Sequence, residues 1–329
     1  MLIVLEGVDG GGKTSVRNQL HVLWRAQGRV GDIKNAPHQG PPPFGVNLVE
    51  HYERSLLESP LREMILSSTD LVIMDRWHVG ELVYGPLLRG ESRLTAGGAL
   101  HVELLLQSLG ATQALIQPFD VEVLLDRHHR RPDHLLPEEK VAEVAEWYRV
   151  YAVHRDNWFQ YDSGEFSSVE LATELLGDAA DYTARVSAVA QSHPSYLGHP
   201  DPDVLLVGDT RSNGSDALTW TTRPFTPTAT LSSSTWLMDA LVVAEVPPTM
   251  FGLVNAREPR VQLRKLWSDL GEPRVVALGN EAIRALRDVK LEYTKLAHPQ
   301  WERRFRSRYH AEYATQLREV ICGNQGPNR

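Results

Sequence analysis

Short apolar runs alternate with longer segments of helical periodicity along the first half of the chain. Compact apolar runs at residues 2–5, 70–74 and 121–125 are typical of buried parallel strands, and weaker strand patterns cover residues 29–33 and 158–161. Helical spacing of apolar residues covers 15–27, 46–58, 78–88, 98–109, 138–154 and 169–188. This alternation predicts an α/β fold, a parallel sheet with helices on both faces.

A second α/β pattern follows a segment that is rich in turn-forming residues. Strand-like runs at 204–207 and 274–278 and an apolar segment at 250–254 alternate with helical stretches at 230–243, 259–270 and 280–287. A long charged helix ends the chain. We therefore expect a first domain over residues 1–188, a linker over 189–202 and a smaller α/β domain over 203–329.

Composition narrows the class of protein. Hydrophobic residues make up 42% and charged residues 23%, values that are ordinary for a soluble globular protein, and the net charge of -8 argues against a protein that mainly coats nucleic acid. The net charge does not exclude a local basic groove. The only cysteine, Cys322, excludes an internal disulfide and a cysteine-ligated cluster, and it favours a reducing, cytoplasmic setting. No apolar run approaches the ~20 residues of a membrane helix, so no membrane partner is expected. The oligomeric state stays open, a homodimer included.

The first strand leads into a glycine-rich turn with a specific spacing. Gly7, Gly12, Lys13 and Thr14 satisfy the phosphate-loop pattern G-x-x-x-x-G-K-[ST] between a strand and a helix. In such a loop the backbone N–H groups point at phosphate oxygens, here those of Gly7, Gly10, Gly11, Gly12, Lys13, Thr14 and Ser15. The lysine reaches the β- and γ-phosphates, and the threonine hydroxyl ligates magnesium. ATP and Mg²⁺ are therefore the expected cofactors. The alternative is a flexible glycine-rich turn.

Two further groups of charged residues follow predicted strands. Asp75 and Arg76 come directly after the run at 70–74, where an acidic residue can hold the magnesium shell and an arginine can clamp a phosphate. The alternative is a structural salt bridge. Arg127, Arg130 and Arg131 follow the run at 121–125 and suggest a lid that closes over transferring phosphates. A solvated basic turn is the alternative there.

These residues resemble the thymidylate kinase family of nucleoside monophosphate kinases over about residues 1–185. The opening 6–14 is similar to the family's E-G-x-D-G-x-G-K, 75–77 to its D-R-[YFW] signature, and the arginines after Leu125 occupy the lid position. The resemblance implies that Lys13 and Thr14 hold ATP and magnesium. It also implies that Asp9 lies near the acceptor nucleotide or metal and that Arg76 grips the acceptor phosphate.

The chain departs from that family where the acceptor base is bound. The proline-rich segment 35–44 replaces the family's arginine-containing loop, and after Trp77 only Tyr84 remains of the run that lines the base pocket. The sequence therefore favours phosphoryl transfer to a deoxynucleoside monophosphate without identifying thymidylate.

The second half resembles the uracil-DNA glycosylase superfamily over about residues 200–310, through several weak motifs in the right order. The stretches 207–209, 223–225, 254–259, 276–282 and 298–299 are similar to its successive motifs. The resemblance implies a base pocket, with Asp209, Asn255 and His298 as the candidate residues and DNA as a partner. The first motif departs from the family at residues 210–213, and the asparagine that reads uracil would fall near Gly252.

Four hypotheses follow from the two halves. The first is an ATP- and magnesium-dependent nucleotide kinase, and the second is a kinase that phosphorylates a modified base, such as a hydroxymethylated pyrimidine, in DNA. The third assigns the second half to nucleotide or nucleic-acid binding, and the fourth to uracil removal. Because the motifs of the second half are incomplete, we favour binding over cleavage there.

Overall fold

The computed structural model describes most of the chain. The described residues are 1–29, 31–36, 45–57, 61–67, 69–130, 136–153, 158–209, 233–257 and 262–323. Contacts between residues divide the chain into two compact units. The first comprises Met1–Phe44, Ser59–Leu94 and Leu109–Arg185, and the second comprises Gly45–Glu58, Thr95–Ser108 and Val186–Arg329.

Most of the predicted strands and helices are present, but the strand expected at 29–33 lies at Ile33–Ala36 and that expected at 121–125 is absent from the described residues. The strands are β1 Leu2–Glu6, β2 Ile33–Ala36, β3 Leu71–Asp75, β4 Ala111–Gln117, β5 Trp158–Asp162, β6 Leu197–Gly198, β7 Val204–Gly208, β8 Phe251–Asn255, β9 Arg274–Leu278 and β10 Thr294–Leu296. The helices are α1 Lys13–Ala26, α2 Leu48–Leu57, α3 Leu61–Leu66, α4 His78–Arg89, α5 Ala96–Ser108, α6 Val121–His129, α7 Glu138–Val153, α8 Ser168–Ser192, α9 Ser233–Val243, α10 Leu263–Asp269, α11 Asn280–Asp288, α12 Pro299–Phe305 and α13 His310–Cys322.

The first unit is a five-stranded parallel sheet in the order β2-β3-β1-β4-β5. Helices α1 and α8 pack on one face of the sheet, and α4, α6 and α7 pack on the other. β1 is central and wholly buried, and its residue Leu5 lies in register with Asp75 of β3. The loop after β1 and the residues after β3 therefore emerge at the same carboxyl edge, where open α/β sheets bind ligands.

The predicted strand at 121–125 is wrong, because these residues form the first half of helix α6. Asp120 caps this helix, its side chain accepting a hydrogen bond from the Glu122 N–H at 2.9 Å. The sheet position belongs instead to β4, which is wholly buried although it contains Thr112, Gln113 and Gln117. Those polar residues interrupt the apolar run by which a buried strand is recognised.

The second unit has its own five-stranded sheet, in the order β10-β9-β7-β8-β6. All its neighbouring strands pair in parallel except β6, which pairs antiparallel with β8. A core of β7, β8, β9, α10 and α11 side chains covers one face. The fold is thus an α/β phosphate-loop unit and a second α/β unit.

The contact-based units differ from a simple division along the chain. Residues 45–58 and 95–108, which the hydrophobic pattern assigns to the first domain, belong to the second unit. They carry α2 and α5, which contact each other, and α5 also contacts α9. The predicted linker 189–202 contains the end of α8 and the strand β6.

Candidate functional site

The loop between β1 and α1 has the backbone of a phosphate cradle. Gly7, Gly10 and Gly12 have φ of 132°, 81° and 100°, values that side-chain-bearing residues rarely adopt. A Cβ added to Gly7 would also lie 2.5 Å from the carbonyl oxygen of Ile116 on β4. The conformation and the close approach of β4 therefore both require glycine at position 7. Thr14 and Ser15 are exposed in the first turn of α1.

Lys13 is buried beneath this loop. Its Nζ donates hydrogen bonds to the carbonyl oxygens of Gly7 at 2.7 Å and Val8 at 2.8 Å. Burial, and after it the nearby Arg76 guanidinium, lower the pKa of Lys13 to about 7. The surroundings of the ammonium group therefore disfavour its positive charge.

Arg76 joins the end of β3 to the phosphate loop. Its guanidinium forms an ion pair with Asp9, and its Nε lies 3.5 Å from the Gly7 carbonyl oxygen. The same guanidinium lies 5.2 Å from the ring centre of Tyr84, whose hydroxyl accepts a hydrogen bond from the Asp9 N–H at 3.3 Å. Arg76 has φ of 63°, a strained conformation for this residue. The structure thus brings together Asp9, Lys13 and Arg76, all expected from the sequence.

Two buried residues beside this cluster are not found by sequence reasoning. The hydroxyl of Tyr148 on α7 is fully buried and has no hydrogen-bond partner among the described residues, and its ring lies 6.3 Å from that of Tyr84. Burial raises the pKa of Tyr148, and the nearby Glu6 raises it further. Glu6 is fully buried at the end of β1, where one carboxylate oxygen accepts the Trp77 N–H at 2.7 Å. Burial also raises the pKa of Glu6. In the sequence, Tyr148 belongs to the apolar face of a predicted helix. Such a face predicts only packing in the core, so the sequence does not distinguish Tyr148 from its structural neighbours.

The residues expected to hold magnesium lie at the same edge. The Asp75 carboxylate is partly exposed and accepts a hydrogen bond from Arg17 on α1 at 3.2 Å. The Thr14 hydroxyl is exposed one position after Lys13. A hydroxyl and a carboxylate are ligands that Mg²⁺ accepts, with the rest of its shell as water and phosphate oxygens, although Asp75 is here paired with Arg17. No cluster of three or more acidic, histidine or cysteine ligands occurs among the described residues.

The arginines near the end of α6 divide into two environments. Arg127 donates to the Ser163 hydroxyl at 2.9 Å and also to the Ser163 carbonyl oxygen, and that hydroxyl donates to the Gly11 carbonyl oxygen at 2.6 Å. Arg130 is exposed and pairs with Asp126 on its own helix. The third predicted lid residue, Arg131, lies outside the described residues. Arg127 is therefore tied to the phosphate loop, whereas Arg130 is held by its own helix.

A cavity of about 500 Å³ opens between these elements in the first unit. Its lining includes Gly10, Gly12, Ser15, Arg127, Ser163 and Phe166. It thus joins the phosphate loop to the segment after β5, with a guanidinium and an exposed aromatic ring at its wall. The volume suits a small organic ligand.

The second unit has a cavity of about 550 Å³, lined among others by Asp209, Gly279, Lys295 and His298. Asp209 accepts a hydrogen bond from the Ala282 N–H at 2.8 Å, and the His298 ring accepts one from the Gln300 N–H at 3.1 Å. Burial lowers the pKa of His298, and the Asp209 carboxylate opposes that shift. Two of the three residues expected from the sequence therefore share one cavity.

Several other residues that the sequence singles out in the second unit are not among the described residues that line this cavity. Asn255 is buried at the end of β8 and does not line this cavity. The motif at 223–225 and the departures at 210–213 lie outside the described residues. Gly252, where a uracil-reading side chain would fall, is covered by the Tyr196 ring, which any Cβ at that position would overlap.

Comparisons with known proteins add little to this geometry. No protein-family model matches the chain. No curated protein matches it either. The solved structure of the YorR protein from Bacillus subtilis, in complex with phosphorylated GDP, is 22% identical, covers 54% of this chain and 94% of its own, and has a TM-score of 0.41. A similarity of this size does not establish a function. No helix among the described residues is long and apolar enough to cross a membrane.

Proposed function

We propose that the first unit is an ATP- and Mg²⁺-dependent phosphotransferase that acts on a deoxynucleoside monophosphate. The observation that carries this proposal is the convergence of Lys13 and Arg76 on one carbonyl oxygen, that of Gly7. Two cations held this close repel each other, and the repulsion contributes to the lowered pKa of Lys13. Phosphate groups placed between them would remove that penalty.

The donor side of the proposed reaction follows from the loop. The N–H groups of Gly11 and Ser15 already donate to the carbonyl oxygens of Val8 and Gly12. ATP phosphates therefore accept hydrogen bonds from the remaining N–H groups between Gly10 and Thr14, and Lys13 leaves its carbonyl partners for the β- and γ-phosphates. Arg127 approaches from the Ser163 side. Mg²⁺, when bound, supplies charge neutralisation between the phosphates, and the Thr14 hydroxyl and Asp75 carboxylate would hold it.

The acceptor side follows from the cluster around Arg76. The guanidinium is suited to the acceptor phosphate, since its planar fork pairs with two phosphate oxygens. With the acceptor phosphate at Arg76, the neighbouring Asp9 and Tyr84 are placed to contact the acceptor sugar. The buried Tyr148 hydroxyl has no hydrogen-bond partner among the described residues, and a bound acceptor would provide one. Catalysis is mostly positioning and charge neutralisation, because phosphoryl transfer needs little covalent participation from the protein.

ADP release against a panel of nucleoside monophosphates tests this function. We expect Mg²⁺-dependent turnover with one or a few deoxynucleotides and its loss in Lys13→Ala. Lys140→Ala is a matched control, because Lys140 is a partly exposed lysine of the same unit whose one ion pair among the described residues is with Glu143. Unchanged turnover in Lys13→Ala would end the proposal.

For the second unit we propose binding of a base or nucleotide without cleavage. Asp209 and His298 share a cavity, but each already accepts a backbone hydrogen bond, and Tyr196 covers the position of a uracil-reading side chain. Uracil-containing DNA should stay intact after incubation and alkali treatment. Strand breakage that depends on Asp209 would establish the alternative, a bifunctional kinase and DNA glycosylase.

The two units together also suit a kinase that phosphorylates a hydroxymethylated pyrimidine within DNA. The observation that favours it is a cavity of about 550 Å³ in the second unit of the chain that carries the phosphate loop. Transfer of labelled phosphate from ATP onto such DNA, lost in Lys13→Ala, supports this acceptor. Strict preference for free monophosphates excludes it.

A further inference from the structure

The segment from Pro299 to Tyr309 has an unusual composition for this acidic protein. Eleven residues contain four arginines and three aromatic residues, while the whole chain has a net charge of -8. The arginines are Arg303, Arg304, Arg306 and Arg308, and the aromatic residues are Trp301, Phe305 and Tyr309. Basic residues interleaved with aromatic ones are typical of surfaces that bind single-stranded nucleic acid.

Two of the aromatic rings lie together at the surface. Trp301 and Phe305 are one helical turn apart on α12, with ring centres 5.8 Å apart. They are 48% and 71% exposed, so solvent reaches both side chains. Two adjacent exposed aromatic rings form an apolar platform of a kind that often marks a binding site.

Cationic side chains lie beside this pair. Lys295 and Arg304 line the same cavity of about 550 Å³ as Trp301 and Phe305. Both are exposed, and neither forms an ion pair within the described part of the chain. Two carboxylates also line this cavity. Glu281 pairs with Arg257 and Arg284, and Asp209 accepts a hydrogen bond from the Ala282 N–H.

We infer that Trp301, Phe305, Lys295 and Arg304, which we call the aromatic–basic surface, bind a single-stranded polynucleotide. Bases stack on the two rings, and the two cations contact the phosphates. A duplex hides its base faces in its own stack, so the exposed rings favour a single strand. This inference rests on the proposed binding of a base or nucleotide by the second unit and names its ligand, and it does not require the phosphotransferase.

Fluorescence anisotropy with a labelled twelve-nucleotide oligodeoxythymidylate and the full chain tests the inference. We expect Trp301→Ala and Phe305→Ala each to weaken binding about tenfold, as loss of a stacking ring does. Lys295→Ala and Arg304→Ala should each lower the slope of log affinity against log salt by about 0.7, as loss of one phosphate contact does. A duplex of the same length should bind more weakly than the single strand.

Trp147→Ala is the matched control. Trp147 is a tryptophan of the first unit that is 56% exposed, but it lies beside Glu143 and Glu146. Its loss should leave oligonucleotide binding unchanged. Lys13→Ala should also bind normally, so failure of the kinase proposal is distinguishable from failure of this one. A Trp301→Ala protein with wild-type circular dichroism and wild-type oligonucleotide affinity, or equal binding of the duplex, would overturn the inference.

Discussion

Lys13 and Arg76 share the Gly7 carbonyl oxygen, which lies 2.7 Å from the Lys13 Nζ and 3.5 Å from the Arg76 Nε. The lysine follows β1 and the arginine follows β3, so the parallel pairing of these two strands brings the cations together. Burial and the nearby guanidinium both disfavour the positive charge of Lys13. In the proposed function, a bound phosphate offsets both effects.

This arrangement predicts proton uptake when ATP binds. The pKa of Lys13 is about 7 in the free protein, and phosphate raises it, so at pH 8 binding should take up close to one proton. ATP affinity should therefore fall as pH rises above 7. Calorimetry at pH 8 in buffers of different ionisation enthalpy measures the uptake. Lys13→Arg, which stays charged, should show none, and equal uptake in both proteins would contradict the assignment.

The Tyr148 hydroxyl should matter more for the acceptor than for the fold. A buried hydroxyl without a partner costs about 1–3 kcal/mol, which a bound acceptor can recover by a hydrogen bond. Tyr148→Phe should keep the melting temperature or raise it, increase KM for the acceptor about tenfold, and leave KM for ATP unchanged. Steady-state kinetics with each substrate varied gives both constants. Tyr182→Phe, a buried tyrosine on α8, is the control and should change neither.

Arg76 should be irreplaceable even by lysine. The planar guanidinium of arginine has enough donors to contact Asp9 and two phosphate oxygens at once, whereas the ammonium group of lysine lacks this geometry. Arg76→Lys should lower kcat/KM for the acceptor about 100-fold, as small errors of positioning do. Binding of ATP alone, measured by calorimetry, should change little. Loss of ATP binding with an unchanged acceptor KM would reverse the assignment of the two sides.

The glycines of the loop give a test of the backbone argument. Gly7→Ala meets both a positive φ and the Ile116 carbonyl oxygen, and should lower the free energy of unfolding by roughly 3 kcal/mol. Gly28→Ala also has a positive φ, of 68°, but nothing lies within 4 Å of its added Cβ. It should lose only about 1 kcal/mol. Urea denaturation of the pair compares the two, and equal losses would show that β4 does not constrain the loop.

Much of the first unit is predictable because its signals are local. The phosphate loop needs glycines at fixed spacing, and β3 is a run of apolar residues that ends in Asp75, so both can be read directly from the sequence. β4 could not be recognised in the same way, since Thr112, Gln113 and Gln117 break its apolar pattern. The apolar run 121–125 of α6 instead resembled a strand, and the cap at Asp120 is a weaker signal than hydrophobicity.

The acceptor side and the aromatic–basic surface depend on distant parts of the chain. Tyr148 meets Tyr84 only because α7 packs on α4, and neither spacing nor composition marks that contact. Lys295 and Trp301 are brought into one cavity by the turn between β10 and α12. From the sequence alone, the charged C-terminal segment is predicted to be an ordinary solvated helix. The exposure of Trp301 and Phe305 is known only from the structure.

The most direct test of the account is transfer of labelled γ-phosphate from ATP to a panel of deoxynucleoside monophosphates, with products separated by chromatography. We predict a labelled deoxynucleoside diphosphate that requires Mg²⁺, disappears in Lys13→Ala and persists in Lys140→Ala. ATP consumption that yields only free phosphate with every acceptor, or labelled product that persists in Lys13→Ala, would contradict it.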